Sequence, residues 1–138
     1  MDVYVEPLRT LVKRSPVVVD VNASLREVAG ILTEERVGAA LVYRTLVSDA
    51  EVSHPPGVIS ERDISRAVAG GLDLDETRAG DVMAVAVAAA DARETIWRAA
   101  ARMLANGIRH LPVRDGGRFI GVVSERDVLG AFLHEVEK

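Results

Sequence analysis

GVISERDI at 57–64 returns as GVVSERDV at 121–128. Gly57/Gly121, Val58/Val122, Ser60/Ser124, Glu61/Glu125, Arg62/Arg126 and Asp63/Asp127 match at a constant offset of 64, six identities in eight positions. Each copy runs from a glycine-led β-branched segment through a polar ERD step into an apolar-periodic segment, ISRAVAG in the first and VLGAFLHE in the second. That order reads as strand, tight turn and helix. A helix start carries backbone N–H groups with no intrahelical partner, so polar residues at this junction suit the binding of an anion.

Outward from these two junctions the chain repeats itself. Before the first stand a short periodic piece, PLRTLVK at 7–13, with Pro7 at a first helical position, and a strand within SPVVVDV at 15–21. Ser24 and Glu27 then form a capping-box pattern ahead of Leu25, Val28, Ala29 and Leu32, which predicts a helix over about 24–36. AALVY at 39–43 reads as a buried strand and TLVSDAEVSHPP at 45–56 as a loop or irregular hairpin. After the first ERD helix, GGLDLDETRAG at 70–80 is a connection. The second half echoes this order: DVM at 81–83 answers LVK, AVAAA is a weak strand, and a helix lined by Ile96, Ala99, Ala100, Met103 and Leu104 ends near Gly107. These residues match the first helix at an offset of 71. RHLPV, a tight DGG turn and FIGVVS then form a hairpin. The offset falls from 71 to 64 because the first half holds seven extra residues before Gly57. The expected domain plan is a first repeat over 8–70, a linker over 71–80 and a second repeat over 81–134. Each is β-α-β-β-α, in the α/β (α+β) class. A unit of this size buries too little apolar surface to stand comfortably alone, so the two are expected to pack by a pseudo-twofold into one module.

Composition bounds the function. The chain has 138 residues, 49% apolar, and no cysteine, so disulfides, thiolate metal sites and thiol nucleophiles are unavailable. A net charge of −4 argues against a general nucleic-acid surface. The longest small-apolar run, 82–90, is too short to span a bilayer, and Asp2 and Glu6 stand where a signal peptide needs positive charge. A soluble, cytoplasmic protein with no membrane partner is expected. His54, His110 and His134 show no metal-ligand spacing, and neither Ser60 nor Ser124 has a base in a place matched in both copies, so neither a metal site nor catalytic residues are expected.

The duplicated Gly-h-h-Ser-x-Arg-Asp element, with h apolar, and the IRHLPV segment at 108–113 resemble a tandem pair of cystathionine-β-synthase-type (CBS) domains, a Bateman module, over about residues 8–134. The resemblance implies a regulatory module, not an enzyme, that binds an adenosine-containing ligand. AMP, ADP or ATP come first, with S-adenosylmethionine or NAD(H) second, and no cofactor is required. It assigns Asp63 and Asp127 to the ribose diol and Ser60 and Ser124 to the phosphate end. Arg62, Arg126 and Arg109 would supply phosphate charge, with His110 beside them, and Val58, Ile59, Val122 and Val123 would wall the base. Occupancy would pass to an effector protein, with the module acting as a homodimer; Trp97, the single tryptophan, suits either partial core or a dimer contact.

The same letters also have a structural reading. Ser-x-x-Asp before an apolar-periodic run is a capping box, which accounts for the serine and aspartate without a ligand. It leaves the leading glycine and the arginine unexplained. A ligand-free dimerisation module is therefore the alternative function. The two junctions are also unequal: Arg109 and His110 in the second repeat answer to Gly38 and Ala39 in the first, and the Ser-Pro or Thr-Pro step common before the first helix of such repeats is replaced by Asp20-Val21 and Asp91-Ala92.

Overall fold

A computed structural model describes residues 2–44, 56–85 and 89–136. The loop expected over 45–56, His54 with it, lies outside these residues except for Pro56, as does most of AVAAA. The chain forms two compact units, one of residues 17–86 and one of residues 1–16 with 87–138. The units are thus cut differently from the sequence repeats. The opening segment folds with the second repeat, and the connection after the first ERD helix folds with the first.

The unit of 17–86 holds β1 (Val18–Asp20), α1 (Leu25–Glu35), β2 (Ala39–Tyr43), β3 (Gly57–Ser60), α2 (Glu61–Ala69), a one-turn α3 (Ala79–Val82) and β4 (Ala84–Val85). Its sheet runs β1-β2-β3-β4, with β1 parallel to β2 and the other pairs antiparallel. The other unit holds β5 (Ala90–Asp91), α4 (Ile96–Asn106), β6 (His110–Asp115), β7 (Arg118–Ser124) and α5 (Glu125–Val136), preceded by a 3-10 turn over Leu8–Leu11. Its sheet runs β5-β6-β7. The mixed α/β class and the β-α-β-β-α order therefore hold in both halves. No helix among the described residues is long and apolar enough to cross a membrane.

The cap expected at the start of α1 is present. Ser24 accepts from the Glu27 N–H at 3.1 Å, and the Glu27 side chain accepts in return from the Ser24 N–H. Thr95 caps α4 through the Arg98 N–H. The apolar stripes point inward: Leu25, Val28 and Leu32 join Val19, Ala40, Val42 and Ile59 in one core. Ile96, Ala99 and Met103 join Leu111, Val113, Val123, Val128 and Ala131 in the other. The β6–β7 turn is tighter than DGG suggests, because Asp115 pairs with Arg118 and only Gly116 and Gly117 form the loop, Gly116 with φ of +64°.

α1 and α4 both end in the left-handed region, at Arg36 (φ 57°) and Gly107 (φ 62°), again 71 apart. Glycine adopts this conformation freely, whereas an arginine there carries steric strain of about 1–2 kcal/mol. Arg36→Gly should therefore raise the unfolding free energy by about 1 kcal/mol, measured by urea denaturation.

The glycines that lead the duplicated element have a packing reason. A Cβ on Gly57 would lie 2.2 Å from Met83 Sδ, and one on Gly121 would lie 2.6 Å from Val12 Cγ1 and 3.2 Å from the Arg14 carbonyl oxygen. Met83 and Val12 are themselves 71 apart, the last letter of DVM against the middle of LVK. Methionine can swing aside, but a β-branched valine and a backbone carbonyl cannot. Gly121→Ala should cost about 1–3 kcal/mol of stability by overpacking, and Gly57→Ala clearly less; the same denaturation measurement orders the two.

Candidate functional site

Each ERD step sits where an antiparallel strand turns into a helix. Ser60 is extended, with φ −122° and ψ 167°, and ends β3 directly before α2. The Ser60 N–H and hydroxyl both donate to Asp63 Oδ2, at 2.8 and 3.0 Å, and the Asp63 N–H donates to Ser60 Oγ at 3.3 Å. Ser124 and Asp127 repeat this arrangement at 2.8, 2.9 and 3.1 Å. A third bond ties each helix to the neighbouring strand: the Glu61 N–H donates to the Gly38 carbonyl at 3.0 Å, and the Glu125 N–H to the Arg109 carbonyl at 2.8 Å.

These bonds change what the junction can do. At each copy the amides of the serine, the glutamate and the aspartate are all taken by protein acceptors. Only the Arg62 and Arg126 amides are left out of the cap, so the helix starts offer far fewer donors to an anion than the sequence pattern suggests. The serine hydroxyl is likewise spent on Asp63 or Asp127, and donates to a phosphate only by turning away. Each aspartate uses Oδ2 for both cap bonds, which leaves Oδ1 as the acceptor face.

The side chains around the junctions divide by strand parity. Val58 and Val122 are part-exposed on the same side as Ser60 and Ser124. Ile59 and Val123 are fully buried in the two cores, because successive strand residues face opposite sides of the sheet. The expectation that these two wall a ligand is therefore corrected: they are core residues. Arg62 and Arg126 are exposed and make no ion pair among the described residues. In the second copy, His110 pairs across the strands with Ser124, and Arg109 Nε lies 3.9 Å from Glu125 Oε2 with both side chains exposed, an ion pair of little energetic weight. In the first copy Ala39 is the cross-strand partner of Ser60. Glu61 and Glu125, which sequence reasoning passed over, anchor the helix start to the adjacent strand through their amides. No letter in the sequence signals these bonds, because the backbone N–H of any residue but proline can make them.

Between α1 and α2 lies an open depression of about 200 Å³ lined by Ala29, Leu32, Thr33, Glu61 and Ile64. It meets the polar junction at Glu61, and neither Arg62 nor Asp63 lines it.

Two copies of a β-α-β-β-α unit, each with a glycine-led strand turning into a helix at Ser-x-Arg-Asp, define a class of paired α/β repeat. The CBS domain model matches residues 8–70 and 79–134, and the chain belongs to the CBS-domain family. A CBS domain protein of Pyrobaculum aerophilum, solved in complex with AMP, is 35% identical, with a TM-score of 0.77 over 88% of this chain and 89% of that one. The mitochondrial CBS domain-containing protein CBSX3 of Arabidopsis thaliana is 33% identical over 107 residues, 75% of this chain and 50% of its own length. An uncharacterised protein of Methanopyrus kandleri is 32% identical over 105 residues, 75% of this chain and 50% of its own. The chain spans about half the length of these two relatives.

The cap geometry makes a stability prediction. Ser124→Ala removes the acceptor of the Asp127 N–H and should cost about 1 kcal/mol, whereas Asp127→Asn keeps an acceptor for the Ser124 N–H and should cost only a few tenths; urea denaturation of both variants tests the pair.

Proposed function

We propose that this chain is a regulatory module that binds an adenosine nucleotide of the AMP, ADP or ATP type at the ERD junction and passes occupancy to a partner protein. We place it in the cytoplasm as a homodimer without catalytic activity of its own. The observation that carries the reading is the duplicated Ser-x-Arg-Asp turn in the same hydrogen-bonded geometry twice, each with one carboxylate oxygen of the aspartate outside its cap. Support comes from the AMP complex of the Pyrobaculum aerophilum protein, 35% identical to this chain. In this reading Asp63 or Asp127 accepts from the ribose diol through Oδ1. Phosphate charge is met by arginine side chains rather than by helix amides, because three amides at each junction already have partners. Guanidinium groups suit this task as forked donors.

The second repeat is the favoured site. It offers Arg126 together with Arg109, and His110 opposite Ser124, whereas the first offers Arg62 with Gly38 and Ala39 in the matching places. Unequal affinities follow, with the tighter site at 121–128. Binding acts as a switch to the extent that ligand prefers one arrangement of the module over another.

One observation favours the alternative of a ligand-free interaction module: the capping box is complete at both junctions without a ligand. A thermal-shift panel of AMP, ADP, ATP, S-adenosylmethionine and NADH separates the two readings. A true ligand at a hundred times its dissociation constant should add about 2.7 kcal/mol of stability. Asp127→Asn should abolish most of that gain while leaving the unliganded melting midpoint nearly unchanged. No shift with any compound would reject nucleotide binding.

A further inference from the structure

The second-repeat unit gathers arginines at one end of its sheet. Arg93 follows β5, Arg114 lies near the end of β6, Arg118 opens β7, and Arg9 stands on the 3-10 turn, where its N–H donates to the Ala92 carbonyl. All four are exposed. Two aspartates run between them. Arg9 bonds to Asp115, and Arg93 Nε lies 3.1 Å from Asp91 Oδ1. Asp91 pairs with Arg114 across β5 and β6, and Asp115 with Arg118 across β6 and β7. The Arg93 hydrogen bonds, and after them the Arg114 charge, hold the Asp91 carboxyl below the usual carboxylate range. Neither Arg114 nor Arg118 makes a salt bridge among the described residues. Four arginines against two aspartates leave a surplus of two positive charges here, on a chain whose net charge is −4.

The fold does not require this cluster. Exposed ion pairs contribute little to stability, and the internal duplication separates the structural letters from the others. At the offset of 71 Asp91 answers to Asp20, and each aspartate accepts through Oδ1 from the N–H two residues on, at 2.8 Å from Arg93 and 2.7 Å from Asn22. That bond shapes the turn after the strand in both repeats. The arginines have no counterpart: Arg9, Arg93 and Arg114 answer to Gly80, Asn22 and Tyr43. The first unit builds the same turn without them.

The spacing says what the cluster suits. Three neighbouring strands span about 10 Å, wider than one phosphate or carboxylate, and an extended peptide advances about 3.3 Å per residue, so about three or four residues cross it. Alternate side chains of such a peptide face the same way, about 6–7 Å apart. Discrete carboxylates at that interval can meet guanidinium forks and step over Asp91 and Asp115. A nucleic acid carries its charge too densely to step over them, and the acidic chain repels it. A membrane surface favours basic patches with apolar side chains that insert, whereas Phe119 is half-buried, with the Arg114 guanidinium 5.3 Å from its ring centre.

We propose that Arg9, Arg93, Arg114 and Arg118 form a docking site for an acidic segment of a partner protein, an extended run of aspartates or glutamates. The proposal rests on the reading of this chain as a module that signals to a partner, and names the chemistry of that partner.

The probe is a fluorescently labelled oligo-aspartate peptide, followed by anisotropy, with a serine-glycine peptide of equal length as the control. At low salt the acidic peptide should bind the wild type and the control should not; raising salt from about 50 to about 300 mM should weaken binding at least tenfold. Arg114→Ala and, separately, Arg118→Ala should each weaken it about fivefold. Arg114→Lys should restore only part of the loss, because an ammonium is not a forked donor. Arg66→Ala, an exposed arginine of α2 in the other unit, should change it less than about twofold. Circular dichroism checks that each variant is folded. Absence of binding at low salt would overturn the site, and an equal loss in Arg66→Ala would reduce it to diffuse attraction. A single-stranded oligonucleotide or an anionic phospholipid vesicle that binds more tightly than the peptide, and loses affinity in the same variants, would overturn the class of partner. Peptide binding without any nucleotide-induced thermal shift keeps the docking site and removes the nucleotide reading; a thermal shift without peptide binding does the reverse.

Discussion

The structure hinges on how the segment ahead of each repeat docks. Residues 77–83 bind the first repeat and residues 6–12 bind the second through the same backbone hydrogen bonds. Leu25 N–H donates to the Thr77 carbonyl as Ile96 N–H does to that of Glu6, both at 3.0 Å. Ala79 N–H donates to Ala23 as Leu8 N–H does to Glu94, at 2.8 and 2.7 Å, and Gly80 N–H to Val21 as Arg9 N–H does to Ala92, both at 2.9 Å. Every pair keeps the offset of 71. The docked segment delivers Ala79 to one core and Leu8 and Leu11 to the other, then lays Met83 or Val12 over the glycine that leads the ERD strand. Alanine at that glycine would meet the docked chain head on. The strand that carries the ERD turn is therefore held by a part of the chain remote in sequence.

Given that placement, the turn itself is local chemistry. Serine and aspartate satisfy each other's amides at the helix start, and the glutamate N–H fastens it to the residue just before the neighbouring strand, so the cap is closed by the protein's own groups. Donors used in the cap are withdrawn from recognition. What the turn still presents is one carboxylate oxygen and an exposed arginine on the following residue. That combination suits a ligand with a diol to donate and a phosphate to accept.

Much of this was legible in the sequence because it follows from local rules. The helices declared themselves through Ser24 with Glu27 and through the apolar spacing from Ile96 to Met103, and the β6–β7 hairpin through its adjacent glycines. The inward placement of Ile59 and Val123 was also legible, since strand parity sets them opposite Val58 and Val122; the reading that put all four on one wall overlooked it. The leading glycines were a different case. Their cause lies in Met83 and Val12, and no local rule links residues 57 and 83 or 121 and 12. The cut of the compact units after 16 and 86 escaped for the same reason, because docking of the segment is a long-range contact. The self-consumed amides were hidden as well: a capping pattern can be read from letters, but the pairing of Glu61 and Glu125 with β2 and β6 cannot.

The duplication separates scaffold from surface. Identity persists between the copies at the glycine under the docked segment and at the serine and aspartate of the cap, whereas the backbone hydrogen bonds that carry the offset of 71 recur between residues that are not identical. It lapses at other positions around the junction and on the helix faces. Gly38 and Ala39 stand against Arg109 and His110, and Ser65 and Ala69 against Leu129 and Leu133. Residues that match therefore report mostly how the fold is held, since a cap and a close approach are needed whether or not anything binds. Of the ERD letters, the glutamate and the arginine are exposed and their side chains take no part in the cap, so their identity argues for a ligand more strongly than that of the serine or the aspartate does. The residues that differ give the two copies surfaces of different chemistry.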